Sequence, residues 1–296
     1  MKYNGTIYRP PLEAYTLLLP VTEGCTHNSC AFCNMYRDVP FRTLSISYLK
    51  EYLEEVKANY GSDCGEIERV YLVGADPFAL SANRLLDRID IIRHYLPQTK
   101  VITMYARTDN VAHKSDADLK ALHDAGVADL YIGVECGLDD VLQRLNKGYS
   151  VDETRRQCHR LNDAGISHCD LLMLGAAGEG RGLECARATA QLENDIAPAK
   201  ILTTTMSAFV GTELDRDIKS GAFVPATEAE NLEEEMEFLS DLNLPDCFFW
   251  AAHPLDLVKI QGVLGKDRQR MLAALAYGLA HVKEETINRR SRVGAL

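Results

Sequence analysis

No uninterrupted apolar run in this chain reaches the roughly 20 residues that a bilayer-spanning helix needs. A membrane span is therefore not expected. The opening residues Met1-Lys2-Tyr3-Asn4-Gly5-Thr6 lack the apolar centre of a signal peptide, so the expected location is the cytoplasm. Positive charge is also in short supply. With 32 Lys and Arg against 43 Asp and Glu, the formal net charge is −11. Attraction to phosphate backbones depends on cations that displace counterions, so nucleic acid is disfavoured as a partner. No low-complexity linker divides the chain, and tryptophan occurs once.

What is present describes a folded α/β protein. The chain has 296 residues, of which 46% are apolar, enough for a large core. Strand-like runs at residues 15–20, 69–73, 100–106, 129–134, 168–174 and 200–207 alternate with segments of helical length. That alternation is the pattern of repeated βα units on a parallel sheet. Six such strands predict a partial (β/α)6 TIM-like barrel over residues 1–215, followed by a mainly helical C-terminal extension over 216–296. The extension is expected to pack on the core and contribute to a substrate pocket.

Helix ends are marked. Ser115 with Asp118, and Ser150 with Glu153, place a capping hydroxyl three residues before a carboxylate, and Gly126 and Gly165 provide left-handed stops. Asp124-Ala125-Gly126-Val127 is echoed by Asp163-Ala164-Gly165-Ile166, as stacked equivalent units would be. In the extension, helices are expected over 226–242 and 266–286, and the first carries a core stripe of Leu232, Met236, Leu239 and Leu242. The acid run Glu233-Glu234-Glu235 reads as a solvated face. Arg289 to Gly294 has the composition of a frayed tail. Phe248-Phe249-Trp250 reads as core or substrate wall, and His253 as a proton carrier or a structural histidine.

Nine cysteines are present, and Cys64, Cys136, Cys158, Cys169, Cys185 and Cys247 are scattered without ligand spacing. In a reducing compartment they are expected to behave as small buried hydrophobes. Cys25, Cys30 and Cys33 cluster in Gly24-Cys25-Thr26-His27-Asn28-Ser29-Cys30-Ala31-Phe32-Cys33, directly after the first strand. Active sites of α/β barrels lie at that end of the strands. Three thiolates can hold three irons of a cubane and leave the fourth open. A zinc site with His27 as fourth ligand is the competing reading, although structural zinc favours paired ligand spacing.

The cysteine segment, with Phe32 before its last cysteine, resembles the signature of the radical S-adenosylmethionine (SAM) superfamily. Its first interval holds four residues where that signature has three. Later segments fit the same resemblance. Gly74-Ala75-Asp76-Pro77 is similar to the turn that receives the methionyl ammonium. Ile132-Gly133-Val134-Glu135, followed by Lys147, resembles the strand-four motif of oxygen-independent coproporphyrinogen oxidases, methylthiotransferases and Elongator-type acetyltransferases. Met173-Leu174-Gly175 is similar to the glycine-rich turn near the adenine.

This resemblance implies a metal site of Cys25, Cys30 and Cys33. It implies cofactor contacts from Phe32, Gly74, Ala75, Asp76, Arg107, Glu135, Lys147, Met173 and Gly175, with Glu135 on the ribose and Lys147 on the carboxylate. The implied cofactors are an oxygen-sensitive [4Fe–4S] cluster and SAM. The implied activity is reductive SAM cleavage to a 5′-deoxyadenosyl radical that takes hydrogen from a substrate. A flavodoxin- or ferredoxin-type donor would supply the electron, and no side chain is named as a general base. The acidic charge argues against tRNA, so a small-molecule substrate is expected, and with no second cysteine cluster and no added Rossmann-like segment a one-cluster reaction is expected. A non-catalytic iron–sulfur or electron-transfer protein is the alternative.

Overall fold

A computed structural model describes residues 6–282. The expected tail and the last residues of the expected 266–286 helix lie outside them. Two compact units are built from interleaved stretches of chain.

The first unit contains the chain up to Asn28, Tyr36–Ile132 and Gln157–His168. Its strands are β1 (Leu17–Pro20), the short antiparallel pair β2 (Thr22–Glu23) and β3 (Arg42–Thr43), then β4 (Arg69–Val73), β5 (Val101–Ala106) and the first half of β6 (Leu130–Glu135). β1, β4, β5 and β6 pair in parallel in that order, with Leu19 opposite Leu72 and Tyr105 opposite Tyr131. Strands running between covering helices are buried on both faces. β4 shows this, because Val70, Tyr71, Leu72 and Val73 are all fully buried.

Helices α1 (Ile46–Tyr60), α2 (Ala82–Tyr95), α3 (Thr108–Ala112) and α4 (Asp116–Asp124) connect these strands. Ser45 caps α1 by accepting from Tyr48, and the helix buries Leu49, Leu53 and Val56 at helical spacing. α4 opens on the expected Ser115–Asp118 capping box.

The second unit contains Ser29–Met35, Gly133–Arg156 and the chain from Cys169 onward. Its elements include α5 (Asp139–Arg144), the first part of α6 (Val151–Asp163), most of β7 (His168–Leu174), α7 (Gly182–Ile196), β8 (Lys200–Thr205), α8 (Glu213–Ser220) and α9 (Glu228–Asp241). β9 (Phe248–Ala251), β10 (Ile260–Val263) and α10 (Leu264–His281) complete it. β7, β8 and β9 pair in parallel, and β10 closes antiparallel on β9.

The extension thus carries two strands as well as its helices. Phe248-Phe249-Trp250 supplies aromatic residues suited to a pleated surface, and Phe249 and Trp250 are core. No helix among the described residues is long and apolar enough to cross a membrane.

One expectation in the extension is corrected. Glu234 and Glu235 of the acid run are buried instead of solvated. Glu234 accepts the Gly175 N–H at 2.9 Å, and Glu235 lies 3.5 Å from the Thr203 hydroxyl. Burial pushes both carboxyls well above their usual range. Spacing reports amphipathicity only when the buried side is apolar, and here polar strand ends recruit the acids. His253 is half-buried, its backbone N–H donating to Asp256 at 2.7 Å, and burial lowers its imidazole pKa.

The core of the second unit holds a further acid. Glu193 on α7 is fully buried, and burial with the adjacent Asp170 charge pushes its carboxyl well above the usual range. Its folded pKa is raised over the unfolded value, so its stabilising contribution is present below about pH 4 and lost as pH rises through the folded pKa. Glu193→Gln, neutral throughout, is expected to be more stable than wild type at pH 7–8 by about 1–3 kcal/mol, with the two curves converging near pH 4. Chemical denaturation across that pH range checks it, and parallel curves would contradict it.

Candidate functional site

In the first unit, the candidate residues gather where β2, β4 and β5 end. Gly74 follows β4 at φ +150°, and a Cβ there would run into the Thr22 hydroxyl on β2, so the approach requires glycine. Ala75 leads to Asp76, whose side chain has no solvent exposure. Asp76 accepts the Thr26 N–H at 3.3 Å and also the Thr26 hydroxyl. Burial pushes the Asp76 carboxyl up to about 6, while the Thr26 hydrogen bonds and the Arg107 charge act in the opposite direction. Such a carboxylate gains by facing a cation.

Arg107 extends past β5, is buried, and pairs with Asp109 at 3.0 Å. Cys25 follows β2. Burial and then the Asp76 charge raise its thiol pKa, and the backbone N–H groups of Asn28 and His27 and the Arg107 charge oppose them. The Asn28 N–H reaches its sulfur at 3.4 Å.

In the second unit, Cys30, Phe32 and Cys33 lie on the segment Ser29–Met35. Ala31 N–H donates to Leu145 at 2.9 Å, Asn146 Nδ2 to the Ser29 carbonyl at 2.7 Å, and Leu214 N–H to the Ala31 carbonyl at 2.9 Å. The end of α5 and the start of α8 thereby fix this segment.

Glu135 closes β6 in the left-handed region at φ +68°, a conformation that costs a non-glycine residue of order 1–3 kcal/mol. Its Oε1 accepts Lys147 Nζ at 2.7 Å, and both side chains are buried. Lys147 Nζ lies 5.8 Å from the Phe32 ring centroid and 5.5 Å from that of Tyr149. Phe32, Glu135 and Lys147 are thus brought together. Met173 is half-buried on β7, and Gly175 just beyond is tied to α9 through Glu234.

Thr26, Asn146, Tyr149 and Glu234 support these residues, although sequence reasoning did not single them out. Thr26 lies inside the cysteine spacing and Asn146 directly before Lys147, so adjacency was a signal for those two. Glu234 is remote in sequence and carried none.

The donor set fits an iron–sulfur cluster. Of the nine cysteines, Cys25, Cys30 and Cys33 are partly exposed and the other six are buried. An N–H aimed at sulfur, as at Cys25, is a feature of cluster thiolates.

Comparison with known proteins agrees. The sequence matches the Radical SAM superfamily over residues 19–180. It is 25% identical over 195 residues to a tRNA-2-methylthio-N(6)-dimethylallyladenosine synthase of Chlorobium limicola, covering 62% of this chain and 41% of that protein. It is 24% identical over 158 residues to the heme chaperone HemW of Bacillus subtilis, covering 52% of this chain and 41% of HemW. The chain therefore matches less than half the length of either relative.

Among solved structures, the radical SAM methyltransferase TsrM of Kitasatospora setae, with cobalamin and a [4Fe–4S] cluster bound, superposes with a TM-score of 0.55. That match has 17% identity and covers 70% of this chain and 39% of TsrM. The shared fold is the partial TIM barrel of radical SAM proteins. A [4Fe–4S] cluster and SAM are the cofactors of this family. With its partly exposed cysteines inside the matched residues, this chain belongs to the radical SAM superfamily.

Proposed function

We propose that Cys25, Cys30 and Cys33 hold three irons of a [4Fe–4S] cluster, leaving one iron for SAM. When bound, the reduced cluster and SAM supply a 5′-deoxyadenosyl radical that takes a hydrogen atom from the substrate.

The surrounding residues bind and orient. Asp76 faces the methionyl ammonium, with Gly74 and Ala75 allowing close backbone approach. Glu135 accepts from the ribose hydroxyls, and Lys147 offers its ammonium to the SAM carboxylate. Phe32, Met173 and Gly175 wall the nucleoside and exclude water, and Arg107 adds positive charge beside Asp76. The cysteine triplet, set apart from six buried cysteines, carries this reading.

The substrate is a polar small molecule. A cleft of about 640 Å³ in the second unit is lined by residues including Asp140, Arg144, Glu179, Arg181, Glu213 and Phe223. This volume is ordinary for small-molecule sites. Its lining comes from α5, the segment after β7 and the start of α8, and Phe223 comes from the segment between α8 and α9, so residues beyond 215 also line this cleft. Four lining side chains are carboxylates, Asp140, Glu179, Glu213 and Asp217, which together with the net charge of −11 repel phosphate backbones. The electron comes from a flavodoxin- or ferredoxin-type protein, and the enzyme works in the cytoplasm, where such donors remain reduced.

Deuterium transfer tests the substrate class. Reconstituted enzyme with SAM and dithionite is given small-molecule or RNA fractions from cells grown in heavy water, and 5′-deoxyadenosine is analysed by mass spectrometry. Deuterated 5′-deoxyadenosine from the small-molecule fraction is expected. Deuterium arriving only from RNA would overturn the small-molecule assignment.

A further inference from the structure

Three tyrosines on neighbouring strands of the first unit meet edge to face. The Tyr71 and Tyr105 ring centroids are 5.8 Å apart, Tyr105 and Tyr131 are 6.1 Å apart, and Tyr71 and Tyr131 are 6.3 Å apart. Tyr105 and Tyr131 are cross-strand partners, which accounts for one contact. Tyr71 comes from β4, so the cluster spans three consecutive strands.

The three environments differ. Tyr105 is partly exposed, whereas Tyr71 and Tyr131 are fully buried. Tyr105 precedes Arg107 by two residues along extended chain, so both side chains point to the same face, about 6–7 Å apart along the strand. Arg107 acts electrostatically on Asp76 and Cys25. Tyr105 therefore stands one layer beneath the proposed cofactor residues.

At the other end of the cluster, the Tyr131 hydroxyl donates to Glu13 Oε1 at 2.6 Å. Glu13 is clamped by Arg69 at 2.5 Å, and Arg69 also holds Asp129 at 2.8 Å. Burial pushes the Glu13 carboxyl up, but hydrogen bonds from Arg69, Thr16 and Tyr131 outweigh it and hold the group below its usual value. Glu13 is thus an anion beside the Tyr131 phenol. The hydroxyl of Tyr71, whose ring touches both of the others, is buried and has no hydrogen-bond partner among the described residues. Packing alone would be served as well by phenylalanine at that position, since an unpaired buried hydroxyl is costly.

We infer that Tyr105, Tyr71 and Tyr131 form a one-electron relay that draws an oxidising carbon radical, formed at the strand ends when no substrate intercepts it, down to Tyr131 beside Glu13. The inference rests on the radical chemistry proposed above. The radical takes the phenolic hydrogen of Tyr105, forming a C–H bond and leaving a phenoxyl radical. An electron passes from Tyr131 to Tyr105, across their direct contact or through the Tyr71 ring packed against both, and Tyr105 regains a proton from solvent. The Tyr131 proton moves along its existing hydrogen bond to Glu13. In sum, the carbon radical is reduced to a hydrocarbon, Tyr131 is oxidised by one electron, one proton is taken up at the top and one is bound by Glu13. The direction follows from chemistry, because a phenolic O–H is weaker than the C–H bond formed at a primary carbon.

The test is electron paramagnetic resonance of reconstituted enzyme, freeze-quenched after reduction with SAM and without substrate, with 5′-deoxyadenosine measured in the same samples. A tyrosyl signal is expected, and its hyperfine splitting should collapse when the protein carries ring-deuterated tyrosine. Tyr131→Phe should abolish the long-lived signal. Tyr105→Phe, which removes the phenol that meets the carbon radical, should lower the signal severalfold relative to the 5′-deoxyadenosine formed. 5′-Deoxyadenosine formed without a tyrosyl signal, or a signal unaffected by both substitutions, would overturn the relay. Absence of 5′-deoxyadenosine here would overturn the relay, and its absence also after small-molecule extract is added would overturn the functional reading.

Discussion

Cys30→Ala protein, reconstituted anaerobically, is expected to lose its [4Fe–4S] cluster and with it SAM cleavage. Iron and sulfide should fall to background, because two thiolates are too few to retain a cubane that already lacks a fourth protein ligand. A general loss of foldedness would produce the same deficit, so a second cysteine serves as control. Cys64 is buried, with its thiol directed at the Val56 carbonyl 3.9 Å away. Cys64→Ala should cost about 1 kcal/mol of stability and keep full iron content. Equal iron loss in both variants would show that the deficit reflects folding and would remove Cys30 from the ligand set, as would a full cluster in Cys30→Ala.

Lys147→Met should have the largest effect on stability. The Lys147–Glu135 pair is buried at 2.7 Å, so removing the lysine leaves a buried carboxylate without that partner on a left-handed backbone. Breaking such a pair from one side typically costs roughly 3–5 kcal/mol. Removing both charges costs much less, so Lys147→Met with Glu135→Gln should recover most of the loss in a double-mutant cycle. SAM separates structure from function in the same samples. It should raise the melting temperature of wild type and leave the recovered double variant nearly unmoved. Strong SAM protection of the double variant would remove both residues from the cofactor site while leaving the stability argument intact.

The fold was legible where chemistry is local. Ser115 with Asp118 announced a capping box, Gly126 and Gly165 announced left-handed stops at φ +82° and +80°, and the apolar runs at 69–73 and 168–174 became strands with those bounds. The cysteine triplet was legible because its ligands are adjacent in sequence. What escaped depends on distant partners. Glu234 and Glu235 look like a solvated run until β7 and β8 are seen to bring Gly175 and Thr203 beside them. Glu135 and Lys147 were singled out by resemblance, but nothing in their spacing announced a bond between the two side chains. The Tyr71–Tyr105–Tyr131 cluster is similarly silent in sequence, since its members lie on three strands and meet only through register.

The central claim is that this chain cleaves SAM with a three-cysteine cluster. The most direct measurement is chromatographic detection of 5′-deoxyadenosine after anaerobic reconstitution with iron and sulfide and dithionite reduction in the presence of SAM. The account predicts that nucleoside in wild type and none in Cys30→Ala. A reduced, SAM-bound cluster that yields no 5′-deoxyadenosine, even with small-molecule extract added, would contradict it and favour an electron-transfer role. A colourless protein carrying stoichiometric zinc would contradict the cluster itself.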